Sequence, residues 1–425
     1  MQANPPWKEA SSLIIVSRAS LTDKVVRNSG PKSVQSTANG RNLWASCDYR
    51  IMMVKRSGLS SFMASAYVFP GGKVEVADYS PKWWQLFAKL GLTRSDLEVF
   101  SSCVVGSRPP MVTEPLTVAE AKRDASENVD YLHADIALRI AAIRETFEET
   151  GVLLLTQTPL TNGSTIGSLS QHSTPMVPIS DVNHMNIDLN DWREKVRTDA
   201  NAFFDLCLET SLCPDLWSLY EWSDWLTPIS TSLCPDLWSL YEWSDWLTPI
   251  SVGHKRFDAF FYICCLESEP KVVIDNSEVT NLKWCTPVEM LEEHSQERVF
   301  LAPPQVYELS RIHNLPNFNA VKDFALKRQS LGIERWLPVI STYNDGAISL
   351  LPGDDSYPSD PDLIGKKPIP DFPQSLEEMR AKTVHMNRLE LRGPTCQAYC
   401  NIKLNCGHLS PFTYPPITTT VQSML

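Results

Sequence analysis

Three glutamates fall within five positions of one another in the run Arg144-Glu145-Thr146-Phe147-Glu148-Glu149-Thr150-Gly151-Val152. On a helix of 3.6 residues per turn, Glu145 and Glu149 stack at i, i+4 and Glu148 stands beside them at i+3. Arg144 and Glu148 form a second i, i+4 pair. Like charges ~4 Å apart repel by about 4 kcal/mol at an effective dielectric near 20, so such crowding suits carboxylates that share a divalent cation. Magnesium, which prefers hard oxygen ligands and shares them with phosphates and water, fits that patch. A solvated acidic helix face has the same nine residues, so the case turns on what surrounds them.

Those glutamates need a helix and a partner loop to position them. Ile136, Ile140, Ile143 and Phe147 recur at i, i+4, i+7 and i+11 and give Ala134–Leu153 one apolar stripe, with Gly151 placed as a C-terminal cap. The carboxylates lie off that stripe. Upstream, Ala64–Phe69 reads as a strand that Pro70-Gly71-Gly72 stops, and its glycines let backbone N–H groups approach an anion. Ser12–Ser17, Arg50–Lys55, Arg256–Leu266 and Val279–Trp284 read as further strands, and Pro287–Ser295 and Pro304–His313 as helices. Lys55, Arg56 and Lys73 are the local basic residues that could meet an anionic substrate.

A strand, a Gly-Gly turn and a helix bearing Arg-Glu-x-x-Glu-Glu-x-Gly resemble the Nudix box. Gly72 opens the pattern, and Asp78 stands six positions on, where the pattern has glutamate. Arg144, Glu145, Glu148, Glu149, Gly151 and Val152 match the second half, while Thr146 replaces an apolar residue. The gap departs most: residues 79–143, 65 in number, separate Asp78 from Arg144 where the pattern has seven. An insertion at about 79–136 therefore splits the box. Closure entropy grows only logarithmically with loop length, so the site can survive the split.

The split box resembles one branch of the Nudix hydrolases, the peroxisomal coenzyme A diphosphatases. Trp7-Lys8-Glu9-Ala10, Lys55-Arg56-Ser57-Gly58, Ala137-Leu138-Arg139-Ile140, Trp246-Leu247-Thr248-Pro249 and Phe300-Leu301-Ala302-Pro303-Pro304-Gln305 carry the likeness. It implies an α/β fold, the Nudix α/β/α sandwich with a mixed sheet. It also implies hydrolysis of coenzyme A or acyl-coenzyme A to 3′,5′-ADP and a 4′-phosphopantetheine product, with Mg2+ or Mn2+ as cofactor. Glu145, Glu148 and Glu149 become metal ligands, and Glu145, Glu148 and Arg144 the catalytic set. The general base is one of these glutamates or one from a later loop, for which Glu278 is a candidate. Arg144 braces the helix against the Gly-Gly loop, and Lys55, Arg56, Gly71, Gly72 and Lys73 bind substrate. A nucleotide-sugar, dinucleotide or RNA-cap diphosphatase would use the same helix, and a non-catalytic Nudix-fold binding protein would keep the fold without turnover.

The totals agree with a folded enzyme. The chain has 425 residues, 43% hydrophobic and 21% charged, which argues against bulk disorder. A net charge of −12 argues against general nucleic-acid binding, which needs a basic footprint. The 11 cysteines lack the spacing of a disulfide framework and read as reduced thiols, and no apolar run approaches the ~20 residues that span a bilayer. The N-terminal residues do not form a secretory signal. The tail Ser423-Met424-Leu425 approaches a peroxisomal address, with Met at the basic position. That tail and the resemblance point to the peroxisome, with an import receptor as partner; without them the location reads as cytoplasmic or mitochondrial.

Residues 5–355 are expected to form the Nudix domain and 356–425 a C-terminal extension, with a late strand at Tyr399–Cys406. Cys396, Cys400, Cys406 and His408 lack a Cys-x-x-Cys pair and read as a strand burying small thiols rather than as a zinc site. Thr210–Ser230 and Thr231–Ser251 are identical over 21 residues. Two exact copies make no solenoid, and one of them must bulge from the fold. The tryptophans Trp217, Trp222 and Trp225, repeated as Trp238, Trp243 and Trp246, read as packing rather than base-stacking residues.

Overall fold

Strand β1 (Lys8–Arg18) buries side chains on both faces, which marks it as the centre of a covered sheet. Leu13 and Ile15 enter one core, and Ile14 and Val16 enter a second. The computed structural model describes residues 5–19, 47–89, 91–124, 129–157, 187–210, 233–235, 240–253, 255–274 and 276–414. Around β1 stand β2 (Tyr49–Arg56), β3 (Ala66–Val68), β4 (Gly71–Lys73), β5 (Tyr241–Leu247), β6 (Phe257–Leu266) and β7 (Val279–Cys285). The sheet runs from Phe300–Leu301 through β3, β2, β1, β6 and β5 to Arg335–Trp336, with β4 also on β1 and β7 on β2. β1 and β6 are parallel over ten registered pairs and β1 and β2 antiparallel, so the sheet is mixed, as expected.

Helices cover both faces. On the first lie α1 (Lys82–Lys89), α2 (Ala134–Thr150), α3 (Leu189–Thr198) and α4 (Asn201–Glu209). On the second lie α5 (Pro287–Ser295), α6 (Pro303–Ile312) and α7 (Phe318–Gln329). This is the α/β/α sandwich. The stripe Ile136, Ile140, Ile143 and Phe147 is buried, as its spacing requires. Helix α2 stops at Thr150, where Gly151 takes a left-handed conformation (φ 70°) and returns its N–H to Phe147 at 2.8 Å.

Two stretches bear on the expected domain limits. The stretch 79–136, expected as an insertion that splits the box, packs into the first core. Trp83, Leu86 and Phe87 fall at i, i+3 and i+4 on α1 and are buried with Leu97, Phe100 and Met111. Trp83 meets Phe204 of α4 edge-on at 5.2 Å. The buried Glu9 of β1 accepts the N–H groups of Leu116 and Thr117 at 2.7 and 2.9 Å, which ties the segment to the sheet.

The expected limit at 355 comes after the first C-terminal strands. A second sheet begins earlier, with β8 (Val339–Tyr343), β9 (Gly346–Leu350), β10 (Asn387–Arg392) and β11 (Thr395–Cys400), and Asp371–Phe372 at its edge beside β8. The late strand thus ends at Cys400 instead of running on to Cys406. Leu389, Cys396 and Ala398 of this sheet join the second core. His294 of α5 accepts the Cys396 N–H at 3.1 Å, and Tyr307 of α6 donates to Asn387 at 2.7 Å.

Of the duplicated segment, the second copy supplies β5. Trp243 and Trp246 are buried and donate to Glu308 of α6 at 2.7 and 2.8 Å, which is a packing role. Beyond Thr210, the first copy lies outside the described residues, as do Trp238 and the tail 415–425.

Candidate active site

The Gly-Gly turn is held between β1 and α2. Leu13 donates its N–H to Pro70 at 2.8 Å, and Ala10, Ser11 and Ser12 pair with Lys73, Gly72 and Gly71. Gly71 has φ 149° and lies so close to Ser11 and Ser12 that a Cβ would collide with their backbone. A Cβ on Gly72 would strike the Glu145 carboxylate. Both glycines therefore serve close approach, one to the strand and one to the acidic helix.

Glu145 and Glu149 project from the last two turns of α2 towards this turn, and Glu148 stands against Arg144. Glu149 is buried and accepts the Gly71 N–H at 3.0 Å. Arg144, 2% exposed, is the hub. Its guanidinium meets Asp78 twice, at 2.8 and 2.9 Å, and also reaches Glu145 at 3.0 Å, Glu148 at 2.6 Å and the Lys73 carbonyl at 2.9 Å. Asp78 accepts the Glu75 N–H at 2.9 Å as well, so the aspartate in the glutamate position of the box anchors Arg144 and the turn after β4. Thr146, in place of the apolar residue, is fully buried, and its hydroxyl donates to the Ala142 carbonyl at 2.7 Å. The substitution leaves no polar atom unsatisfied.

Burial pushes all three carboxyls up, and neighbouring negative charge adds to it. Glu148 is raised to about 8 by burial and then by the charge of Glu145, against the pull of Arg144. Glu149 is held well above the carboxylate range by burial and Glu145, opposed by the Gly71 N–H and Arg56. Glu145 is raised by burial, opposed by Arg144. Among the described residues, no three acidic, histidine or cysteine side chains are gathered closely enough to enclose an ion as they stand. The donor set still fits a hard divalent cation: three crowded carboxylates of raised pKa gain most from a shared positive charge.

The expected basic cluster divides. Lys55 and Arg56 are consecutive on β2 and point to opposite faces. Arg56 lies on the α2 side, where its charge acts on Glu149 and its Nε donates to the Phe62 carbonyl at 3.1 Å. Lys55 lies over the Tyr67 ring at 6.0 Å, and Tyr67 belongs to the second core, away from the glutamates. Lys73 is exposed and paired with Glu75 at 2.7 Å. Glu278 is exposed at the start of β7. Its carbonyl accepts the Ser57 N–H at 2.7 Å, and its charge adds to the upward push on Glu145 and Glu149.

Sequence reasoning missed α3. Asp188 caps it by accepting the N–H groups of Asn190 and Asp191, and Leu189, Trp192 and Val196 form its apolar face at i, i+3 and i+7; those were the legible signals. From this helix Arg193 donates to the Glu148 carbonyl at 2.7 Å and to the Val273 carbonyl, while Val273 donates to Thr150 at 2.9 Å. Arg197 donates to the Ser277 hydroxyl at 3.0 Å. A cleft of about 430 Å³ opens between Glu75–Ala77, the Glu145–Glu148 side of α2, and the turn from α3 to α4.

Comparison with known proteins bears on this arrangement. The family model described as the NUDT19 Nudix domain matches residues 7–234 and 231–312, and that of the NUDT19 C-terminal domain matches 340–401. The two Nudix segments overlap within the duplicated sequence. The chain is 34% identical over 416 residues to a Xenopus laevis protein named acyl-coenzyme A diphosphatase NUDT19, covering 96% of each. The Gallus gallus protein of that name is 34% identical, over 89% of this chain and 92% of its own. The Homo sapiens protein is 31% identical, over 84% and 82%.

Proposed function

Because the chain belongs to the NUDT19 family of Nudix hydrolases, we propose that it hydrolyses the diphosphate of coenzyme A or acyl-coenzyme A, with Mg2+ or Mn2+ as cofactor. The products are 3′,5′-ADP and 4′-phosphopantetheine or its acyl ester. The observation that carries this reading is the set of three buried or half-buried carboxylates on α2, facing a Gly-Gly turn at the edge of a nucleotide-sized cleft. Glu145, Glu148 and Glu149 would hold the cation. When bound, it offsets charge on the phosphoryl oxygens and lowers the pKa of attacking water.

The residues divide the remaining work. Arg144 fixes Glu145 and Glu148 relative to the turn through Asp78 and the Lys73 carbonyl. Gly71 fixes Glu149 by its N–H. The water oxygen attacks phosphorus, and the bond from phosphorus to the bridging oxygen breaks. The proton of the water passes to Glu148, which lines the cleft. Arg56 and Lys73 flank the turn and favour an anionic substrate; Lys55, on the other face, has no part in it.

The test is incubation of the purified protein with coenzyme A and magnesium, following 3′,5′-ADP by chromatography beside Glu149→Gln. Product that requires both the ion and Glu149 supports the reading. A folded protein that leaves coenzyme A intact but cleaves a nucleotide sugar, dinucleotide or RNA cap would replace it, and one that binds without turnover would make it a non-catalytic relative.

Among the described residues no helix is long and apolar enough to cross a membrane. We propose that the protein is peroxisomal, on the resemblance of its split box and on Ser423-Met424-Leu425, which would engage the import receptor. A fluorescent fusion that keeps its location when those three residues are deleted would overturn the role of the tail.

A further inference from the structure

Coenzyme A carries a phosphomonoester on its ribose as well as the diphosphate that is cut, and a cation held by the α2 glutamates would serve the diphosphate. The outlying phosphate needs a positive group of its own, in a chain whose net charge is −12. The cleft beside the glutamates offers two arginines, Arg144 and Arg197. Arg144 is buried and committed to Asp78, Glu145, Glu148 and the Lys73 carbonyl. Arg197 stands across the cleft on the last turn of α3, with 28% of its side chain exposed. Its contacts include the Ser277 hydroxyl at 3.0 Å and the exposed Glu194 at 3.3 Å, both at the surface.

The acidic groups nearby are already engaged. Glu75 pairs with Lys73, and Asp199 accepts the backbone and side-chain N–H groups of Asn201, which hold its carboxyl below the usual range. The exposed Lys82 adds positive charge near Asp199. A planar guanidinium is suited to bind a phosphate dianion through two parallel hydrogen bonds.

We propose that Arg197 reads the ribose phosphomonoester of the substrate and so distinguishes it from the same diphosphate lacking that group. The cleft between α2 and the α3–α4 turn then takes the nucleotide half, and the pantetheine half leaves by another side. This rests on the coenzyme A reading above. It gives Arg197 a role in substrate selection rather than in the chemical step.

The experiment compares kcat/KM for coenzyme A and for dephospho-coenzyme A in the native protein, Arg197→Ala and Arg197→Lys. The native protein should favour coenzyme A. Arg197→Ala should lose roughly ten- to a hundredfold on coenzyme A, the size of a lost charge-assisted bond, mainly through KM. Its rate on dephospho-coenzyme A should stay within about twofold, and Arg197→Lys should recover part of the preference. Equal losses on both substrates would overturn the proposal and make Arg197 a support for the Ser277–Glu278 loop. No change on either would also overturn it. Failure of the native protein to cut either substrate would instead remove the coenzyme A reading itself.

Discussion

Removing Asp78 should unseat the hub of the site. Arg144 is fully buried, and Asp78, 1% exposed, supplies its two-point partner at 2.8 and 2.9 Å. Breaking a buried ion pair from one side costs roughly 3–5 kcal/mol, because a charge is left without compensation. Arg144 keeps Glu145 and Glu148 at 3.0 and 2.6 Å, so Asp78→Ala belongs at the lower end, about 3 kcal/mol. At about 2.1 cal/mol/K of unfolding entropy per residue, that lowers the thermal midpoint of a fold of this size by roughly 3–5 °C. Asp78→Asn, which keeps an acceptor for Nε, should cost less. Adding Arg144→Met to Asp78→Ala removes the stranded charge, so the double variant should be more stable than the sum of the two losses by at least about 2 kcal/mol. Scanning calorimetry of the four proteins at one pH measures this. Losses that add to within about 0.5 kcal/mol would refute the pairing as the source of the stability.

Two further outcomes follow from the same site and from the repeat. Without a divalent ion the raised carboxyls make folding take up protons: Glu148 titrates near 8 in the fold against 4.5 when free, and Glu145 and Glu149 shift the same way. Stability should therefore be greatest at low pH within that window and fall as pH rises from about 4.5 through 8, while millimolar magnesium should reverse the trend; a midpoint independent of pH in chelator would contradict the crowding. Deleting residues 211–231 joins Thr210 to Ser232 and restores a single copy of the repeat. Since β5 and its bonds to Glu308 come from the second copy, the midpoint and the coenzyme A turnover should both be unchanged, and a loss of either would assign work to the first copy.

What the sequence made legible was whatever depends on local periodicity. The stripe on α2, its Gly151 cap, the Gly-Gly turn and the central strands are set by spacing and turn chemistry within a few residues, and they appear where expected. Helix α7 was not read after Pro316, although Asn317 caps it and accepts the Ala320 N–H at 2.9 Å. The errors lie in long-range placement. Lys55 and Arg56 look like one basic patch along the chain, but strand alternation places them on opposite faces of the sheet. Arg193 and Arg197 carry no motif at all; they matter because α3 packs beside the end of α2, a contact across 45 residues for Arg193 and Glu148. Of the C-terminal sheet only a late strand was read, because turns and loops separate its strands and carry much of its length.

The split box shows why a break in a motif need not break the site. Lengthening the connection from seven residues to 65 costs about 2 kcal/mol of closure entropy if the added chain is free. Here it is not free. Trp83, Leu86 and Phe87 are each at most 3% exposed, and burial of one such side chain contributes roughly 1.5–3 kcal/mol. Glu9 also fixes the segment by its two backbone bonds to Leu116 and Thr117. The inserted chain thus offsets the entropy of its own closure, and it brings its two ends, Asp78 and Arg144, together in a two-point buried ion pair. The same packing makes the insertion a condition of the site: residues that shorten or empty α1 should act on the glutamates through Asp78, not through any contact of their own.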